Sequence, residues 1–166
     1  DLYDGALGIG LFLAAVDRVL GVPRVKELAL GAVAPLIVEL QEHGDSTAHH
    51  MGIGGFTGLG SVVYGLVSMS QLLNDSALIK GAELAAGLLT SKRIEADTAL
   101  GVRRGTAGAL LGLLKLYDAT GSDMALTNAI FCGRRLVDRI GTAETEISQG
   151  NGFLDGAGGI AYALHR

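Results

Sequence analysis

A single cysteine, Cys132, leaves the chain no intramolecular disulfide to form, which fits a reducing compartment and makes a cytoplasmic location the expectation. Its neighbours, Ala-Ile-Phe-Cys-Gly-Arg-Arg-Leu-Val, are apolar at helical spacing. A buried structural thiol is therefore expected there, not a nucleophile or a metal ligand. Lysine and arginine never gather into a block: Lys92-Arg93, Arg103-Arg104 and Arg134-Arg135 are isolated doublets in a chain of formal charge -4. Nothing neutralises a run of phosphates, so no nucleic acid is expected as a partner. Apolar runs are too short and too often interrupted by glycine to span a bilayer. The opening Asp-Leu-Tyr-Asp lacks the basic start of a signal peptide. Alternating β-branched runs of the kind a sheet needs are missing as well. With 166 residues and 49% of them hydrophobic, one domain with its own core is the expectation.

Proline is scarce at 2 residues, whereas glycine is abundant at 26, about twice its usual share. The glycines are periodic. "DGALGIGLFLAAV", "FTGLGSVVYGLVSM", "RGTAGALLGLLKLY" and "DGAGGIAYALHR" align with Gly8, Gly60, Gly108 and Gly159 in register, spaced 52, 48 and 51 residues apart. A fixed period near fifty residues predicts a repeat architecture. Each unit reads as an apolar helix (9–16, 62–73, 110–117), a polar turn, and an amphipathic helix (24–42, 77–92, 124–140). The turns carry stop and start chemistry. Gly21 and Gly121 suit left-handed helix ends, Pro23 suits a first helical position, and Asp75 or Ser76 suits a cap. In the third amphipathic helix Leu126, Ala129, Ile130, Gly133, Leu136, Val137 and Ile140 form the expected buried stripe.

The fold class is therefore all-α, built of helix hairpins in two layers, with the apolar first helices inside and the second helices outside. Small residues (Gly10, Gly65, Gly112, Ala161, Ala163) let inner helices approach closely. A closed or partly closed α/α ring suits such layers. Three hairpins and the first half of a fourth do not complete a ring, and the last unit lacks a polar capping face. Residues 1–166 are thus expected to be one partial domain of something longer, with unburied inner-helix surface that drives self-association or pairing with a missing half.

"DLYDGALGIGLFLAAV", "GIGGFTGLGSVVYGLVSMSQLLND", "GTAGALLGLLKLYDATGS" and "GFLDGAGGIAYAL" resemble, in order and spacing, motifs of the lanthionine synthetase C-like family. The resemblance is strongest to the cyclase domain of class II lanthipeptide synthetases. It implies an α/α toroid of seven hairpins, of which this chain holds the N-terminal three and a half. It also implies a reaction in which a zinc-activated cysteine thiolate of a precursor peptide adds to dehydroalanine or dehydrobutyrine, closing a thioether ring. Zinc lowers a thiol's pKa and makes thiolate available at neutral pH, and an acid must then protonate the enolate.

The resemblance places the zinc ligands, two cysteines and a histidine, in later repeats, so zinc is expected in a full-length relative and no metal ligand in this chain. Where the family has an active-site Asp before the third glycine turn, this sequence has Gly101; Asp97, four residues earlier, reads as a loop carboxylate or a cap. Where the family has a His-Gly pair, this sequence has Asp155-Gly156. Asp155 is the candidate catalytic residue, although a carboxyl in water is a poor proton donor at neutral pH and would need burial or a carboxylate neighbour. Arg103 and Arg104 precede the third glycine turn and are candidate contacts for an acidic peptide or phosphate, against the alternative of plain surface charge. His43, His49 and His50 read as an exposed irregular loop, and the four tyrosines as core rings. The expected function is that of part of a lanthionine-forming cyclase; the alternative is a non-catalytic peptide-binding or structural module, favoured by Gly101 and Asp155. Paired carboxylates of a glycosidase, Asp97 with Asp155, are a third reading that the motif match disfavours.

Overall fold

The computed structural model describes residues 1–140 and 150–166, and these contain helices and turns without a strand. Eight helices occur among them: α1 (Ala6–Leu20), α2 (Pro23–Met51), α3 (Leu59–Leu73), α4 (Ala77–Gly87), α5 (Ser91–Ala96), α6 (Thr106–Thr120), α7 (Asp123–Ile140) and α8 (Ala157–His165). The inner helices α1, α3, α6 and α8 lie side by side in chain order, each touching the next. Each of the first three is paired with the helix that follows it, α1 with α2, α3 with α4 and α6 with α7. The outer layer is continued by contacts of α2 with α4 and of α4 and α5 with α7.

Local chemistry accounts for the hairpin corners. Gly21 and Gly121 end α1 and α6 with φ of 62° and 69°, and Asn74 ends α3 with φ of 50°, the left-handed closure that releases a chain from a helix. Pro23 opens α2 at a position where its missing N–H costs nothing. The Asp75 carboxylate, not the Ser76 hydroxyl, accepts from the Ala77 N–H at 3.1 Å. Helix ends are also tied to neighbouring helices by cations on orphan carbonyls. Lys26 Nζ reaches Leu73 O at 3.0 Å, Arg93 reaches Leu88 O at 3.0 Å, and Arg135 reaches Glu95 O at 2.7 Å.

The core is densest around α3, where Leu59, Val62, Val63, Leu66, Val67 and Met69 are fully buried. Outer helices close on it with small residues, Ala29 of α2, Ala82, Ala85 and Ala86 of α4, and Ala125 and Ala129 of α7. Here the structure corrects the predicted stripe of α7. Ala125, Ala129, Cys132 and Leu136 are buried, whereas Ile130, Val137 and Ile140 are 47%, 59% and 40% exposed. The helix turns its narrow face inward because alanine and cysteine let it approach α6 more closely than isoleucine would.

Two further expectations change. The amphipathic helix expected over 77–92 breaks after Gly87, and Thr90 Oγ1 caps a new short helix by accepting from Arg93 N at 3.4 Å. The helix expected to stop near Glu42 continues to Met51, bent at His43 (φ -132°), so the histidine segment is helical rather than an irregular loop. The bend is braced by Thr47, which donates to His43 O at 3.0 Å, and by a 2.7 Å ion pair between Asp45 and Arg93 of α5.

Candidate functional site

Each inner helix begins at a glycine with extended backbone, Gly5, Gly58, Gly105 and Gly156, and none has a side-chain cap at that residue. The first N–H groups are satisfied instead by the chain's own carbonyls seven residues back. Leu59 donates to Gly52, Gly60 to Ile53, Ser61 to Gly54, Ala107 to Leu100, Ala157 to Gly150 and Gly8 to Asp1. Alignment on the capping glycines corrects the repeat register by one residue in the second unit: Ser61, not Gly60, is the counterpart of Gly8, Gly108 and Gly159.

The four turns are stitched side by side through their backbones. Leu2 N–H donates to Phe56 O at 3.0 Å, Gly55 N–H to Val102 O at 2.9 Å, Phe56 N–H to Arg103 O at 3.0 Å, and Arg103 N–H to Leu154 O at 2.9 Å. This ladder carries residues far apart in sequence into one row at the N-terminal ends of the inner helices. It brings together two of the three predicted site residues: Arg103 and Asp155 form an ion pair at 3.1 Å, with side chains 40% and 39% exposed. Arg104, the third, is exposed and forms no ion pair among the described residues. Gly101 packs against the same corner, where an added Cβ would lie 3.0 Å from Leu154 O and 3.1 Å from Asp155 Cα. The glycine thus lets the third turn lie flat on the backbone that carries Asp155.

Asp97 belongs elsewhere. Its carboxylate accepts from the N–H groups of Ala99, Leu100 and Thr106 and from the Thr106 hydroxyl, at 3.2, 3.3, 2.8 and 2.7 Å. It caps α6, with its lone pairs committed to the backbone, and makes no pair with Asp155.

Beside the turns lies a cleft of about 410 Å³ between α3, α6 and α8, within the range of small-molecule and peptide side-chain pockets. Phe56, Tyr64, Phe153 and Tyr162 supply aromatic walls, and Lys115, Asp118 and Arg166 supply charge. Phe153 meets Tyr162 edge-on at 5.5 Å, and Lys115 Nζ sits 5.9 Å above the Tyr64 ring while donating to Gln71 at 2.9 Å. The tyrosines are therefore mostly not core rings. Tyr3, Tyr64 and Tyr162 are 74%, 42% and 44% exposed, and only Tyr117 is half-buried. Sequence reasoning missed this cleft, although aromatic residues two or three before and six after the glycines that open α3 and α8 were the visible signal.

The family profile described as lanthionine synthetase C-like protein matches residues 1–166, the whole chain. The chain belongs to the lanthionine synthetase C-like family. Comparison with curated proteins gives no match.

Zinc, which this family resemblance implies, finds no fitting donor set in the residues at hand. Among the described residues, no group of three or more His, Cys, Asp or Glu side chains is placed to hold a metal ion. Cys132 is fully buried in the outer layer, and burial, helped by the charge of Asp97, pushes its thiol up to about 12. A coordinating thiol needs the opposite environment. His49 and His50 are exposed neighbours on α2 with rings 5.9 Å apart, and His50 Nδ1 is engaged with Ser46 O at 2.7 Å.

The thiol gives a direct prediction. Native protein should leave Cys132 unmodified by a thiol reagent at pH 8, under conditions where the denaturant-unfolded chain reacts completely. The raised folded pKa also sets a sign: between about pH 9 and 12 the folded state holds a proton that the unfolded state has released. Stability should then fall as pH rises through that window, measured by the denaturation midpoint.

Proposed function

We propose that this chain is part of a lanthionine-forming cyclase domain and serves it as a peptide-binding wall. The cleft beside the glycine turns would hold the precursor peptide. The ring-closing step the resemblance implies needs an activated thiolate, a proton donor for the enolate, and a surface that holds both reacting segments. The residues present here suit the third task. The observation that carries the proposal is the aromatic cleft itself, lined by Val102 and Phe153, which stand next to Arg103 and two residues before Asp155 on the turns that the ladder holds in one row. Phe56, Tyr64, Phe153 and Tyr162 offer flat apolar contact for dehydrated residues, which have lost the hydroxyl that made them polar. Arg103 and the exposed Arg104, which follow the cleft residue Val102 in the chain, suit acidic side chains of the peptide. Asp155 is engaged by a guanidinium as an acceptor, and in that role it orients the rim rather than offering an O–H to an enolate.

Titration of a fluorescently labelled dehydrated precursor peptide should saturate by anisotropy. The double variant Tyr64→Ala, Tyr162→Ala should weaken it by about tenfold or more, since each base-free aromatic contact is worth on the order of 1 kcal/mol. Both rings are partly exposed, so the variant keeps its helical circular dichroism. Equal affinity for a scrambled peptide, or an unchanged Kd in the double variant, would refute the assignment.

A further inference from the structure

We infer that Lys115 selects among peptides in the cleft by pairing with an acidic side chain of the bound segment, several residues along from the one seated at the glycine turns. This selection presupposes that the cleft holds a peptide, as proposed above, and adds which peptides fit it. The cleft has two unlike ends. Phe56, Val102 and Phe153 stand at the turns that open α3, α6 and α8, whereas Lys115 and Asp118 stand further along α6. Lys115 is the tenth residue after the capping Gly105, which places it about 15 Å along the helix at a rise of roughly 1.5 Å per residue. An extended peptide covers that length in about four or five residues.

The repeat itself needs no cation at this position. The tenth residue after the capping glycine is Ala15 in α1 and Ser68 in α3. Lys115 is half-buried, and its Nζ donates to Gln71 Oε1 at 2.9 Å and lies 5.9 Å from the centre of the Tyr64 ring. Both of these partners are neutral. Lys115 takes part in none of the ion pairs among the described residues, and Asp118, one turn on, pairs instead with Arg166 at 3.5 Å. An ammonium has three donors, of which Gln71 takes one. The lysine is therefore held in place, partly desolvated and without a counter-charge, the setting in which a charge-assisted hydrogen bond contributes most. A single ammonium matches the single charge of a carboxylate.

The test uses two short fluorescently labelled peptides, amidated at the C-terminus so that no terminal carboxylate competes. Each carries dehydroalanine and, five residues on, either Glu or Gln. By anisotropy the Glu peptide should bind the wild-type chain about five- to tenfold more tightly than the Gln peptide, as one hydrogen bond to a charged group allows. Lys115→Met should bring that ratio to about one, Lys115→Arg should preserve it, and Lys115→Glu should reverse it. Equal binding of the two peptides to the wild-type chain would overturn the role of Lys115 and leave the peptide-binding cleft standing. Equal weakening of both peptides by Lys115→Met, with their ratio kept, would also overturn it, since the side chain would then act by packing alone. Failure of either peptide to bind the wild-type chain would sink the peptide-binding cleft, and this selection with it.

Discussion

Replacing Gly108 by leucine should leave a chain that does not fold, and even Gly108→Ala should cost about 3 kcal/mol or more. Gly108 lies in the first turn of α6, where a Cβ would fall on the backbone of Gly55 and on the Val102 carbonyl. Both are ladder residues: Gly55 N–H donates to Val102 O at 2.9 Å. An added methyl therefore cannot be absorbed by rotating a side chain. It must push α6 off the second turn, and the turn ladder and the close contact of Gly60 with Gly112 go with it. Overpacking where flexible side chains can yield costs about 1–3 kcal/mol, so a site walled by backbone belongs at the upper end or beyond. Gly133→Ala is the control. It lies in the interior of α7 with no atom within 4 Å of the added Cβ, and should stabilise by about 0.5–1 kcal/mol through lost unfolded-state freedom and better helix propensity. The two substitutions are chemically identical and should move the melting temperature in opposite directions, by about 2–4 °C per kcal/mol for a chain of this size.

Asp97→Ala should lower stability by about 3 kcal/mol and loosen the third turn. The carboxylate satisfies three backbone donors and one hydroxyl, and hydrogen bonds to a charged group each contribute about 1.5–3 kcal/mol when made singly. They share one anion, so the sum is not additive. Asp97 also holds Leu100 at φ 52°, a left-handed conformation that a leucine adopts only under constraint. In the second and fourth turns the left-handed residue is a glycine one place earlier relative to the capping glycine, Gly52 and Gly150, with φ of 71° and 80°. Asp97→Asn, which keeps one acceptor and places an NH₂ toward donors, should fall between wild type and alanine. Thermal denaturation followed by circular dichroism gives both values. An unchanged midpoint for the alanine variant would mean that the cap contributes nothing and that the turn is held by its backbone alone.

Much of the helical order was legible in the sequence because its signals are local. The repeat of glycine turns, the helix-ending Gly21 and Gly121, and Pro23 at a helix start each act within a few residues, and the helices lie where they point. The reading failed where a choice depended on a neighbour in space. In α7 both candidate stripes are apolar, and only the proximity of α6 selects the one with Ala125, Ala129 and Cys132. The segment with His43, His49 and His50 looks like a loop from its Gly, Asp, Ser and Thr content, yet the Asp45–Arg93 ion pair and the Thr47 brace hold it helical. The Arg103–Asp155 pair joins residues in different repeats through the lateral stacking of turns. That stacking has no signature along the chain, although both residues stand one or two positions before a capping glycine. The same stacking brings Gly101 and Asp155 to one corner.

A peptide-binding role without ring closure is the centre of this account, and one experiment addresses it directly. A dehydrated precursor peptide carrying a free cysteine is incubated with the 166-residue chain and zinc, then treated with a thiol-alkylating reagent and read by mass spectrometry. The account predicts that every peptide gains the alkyl group while the anisotropy signal still reports binding. Loss of alkylation at unchanged peptide mass, which is the mark of a thioether ring, would contradict it.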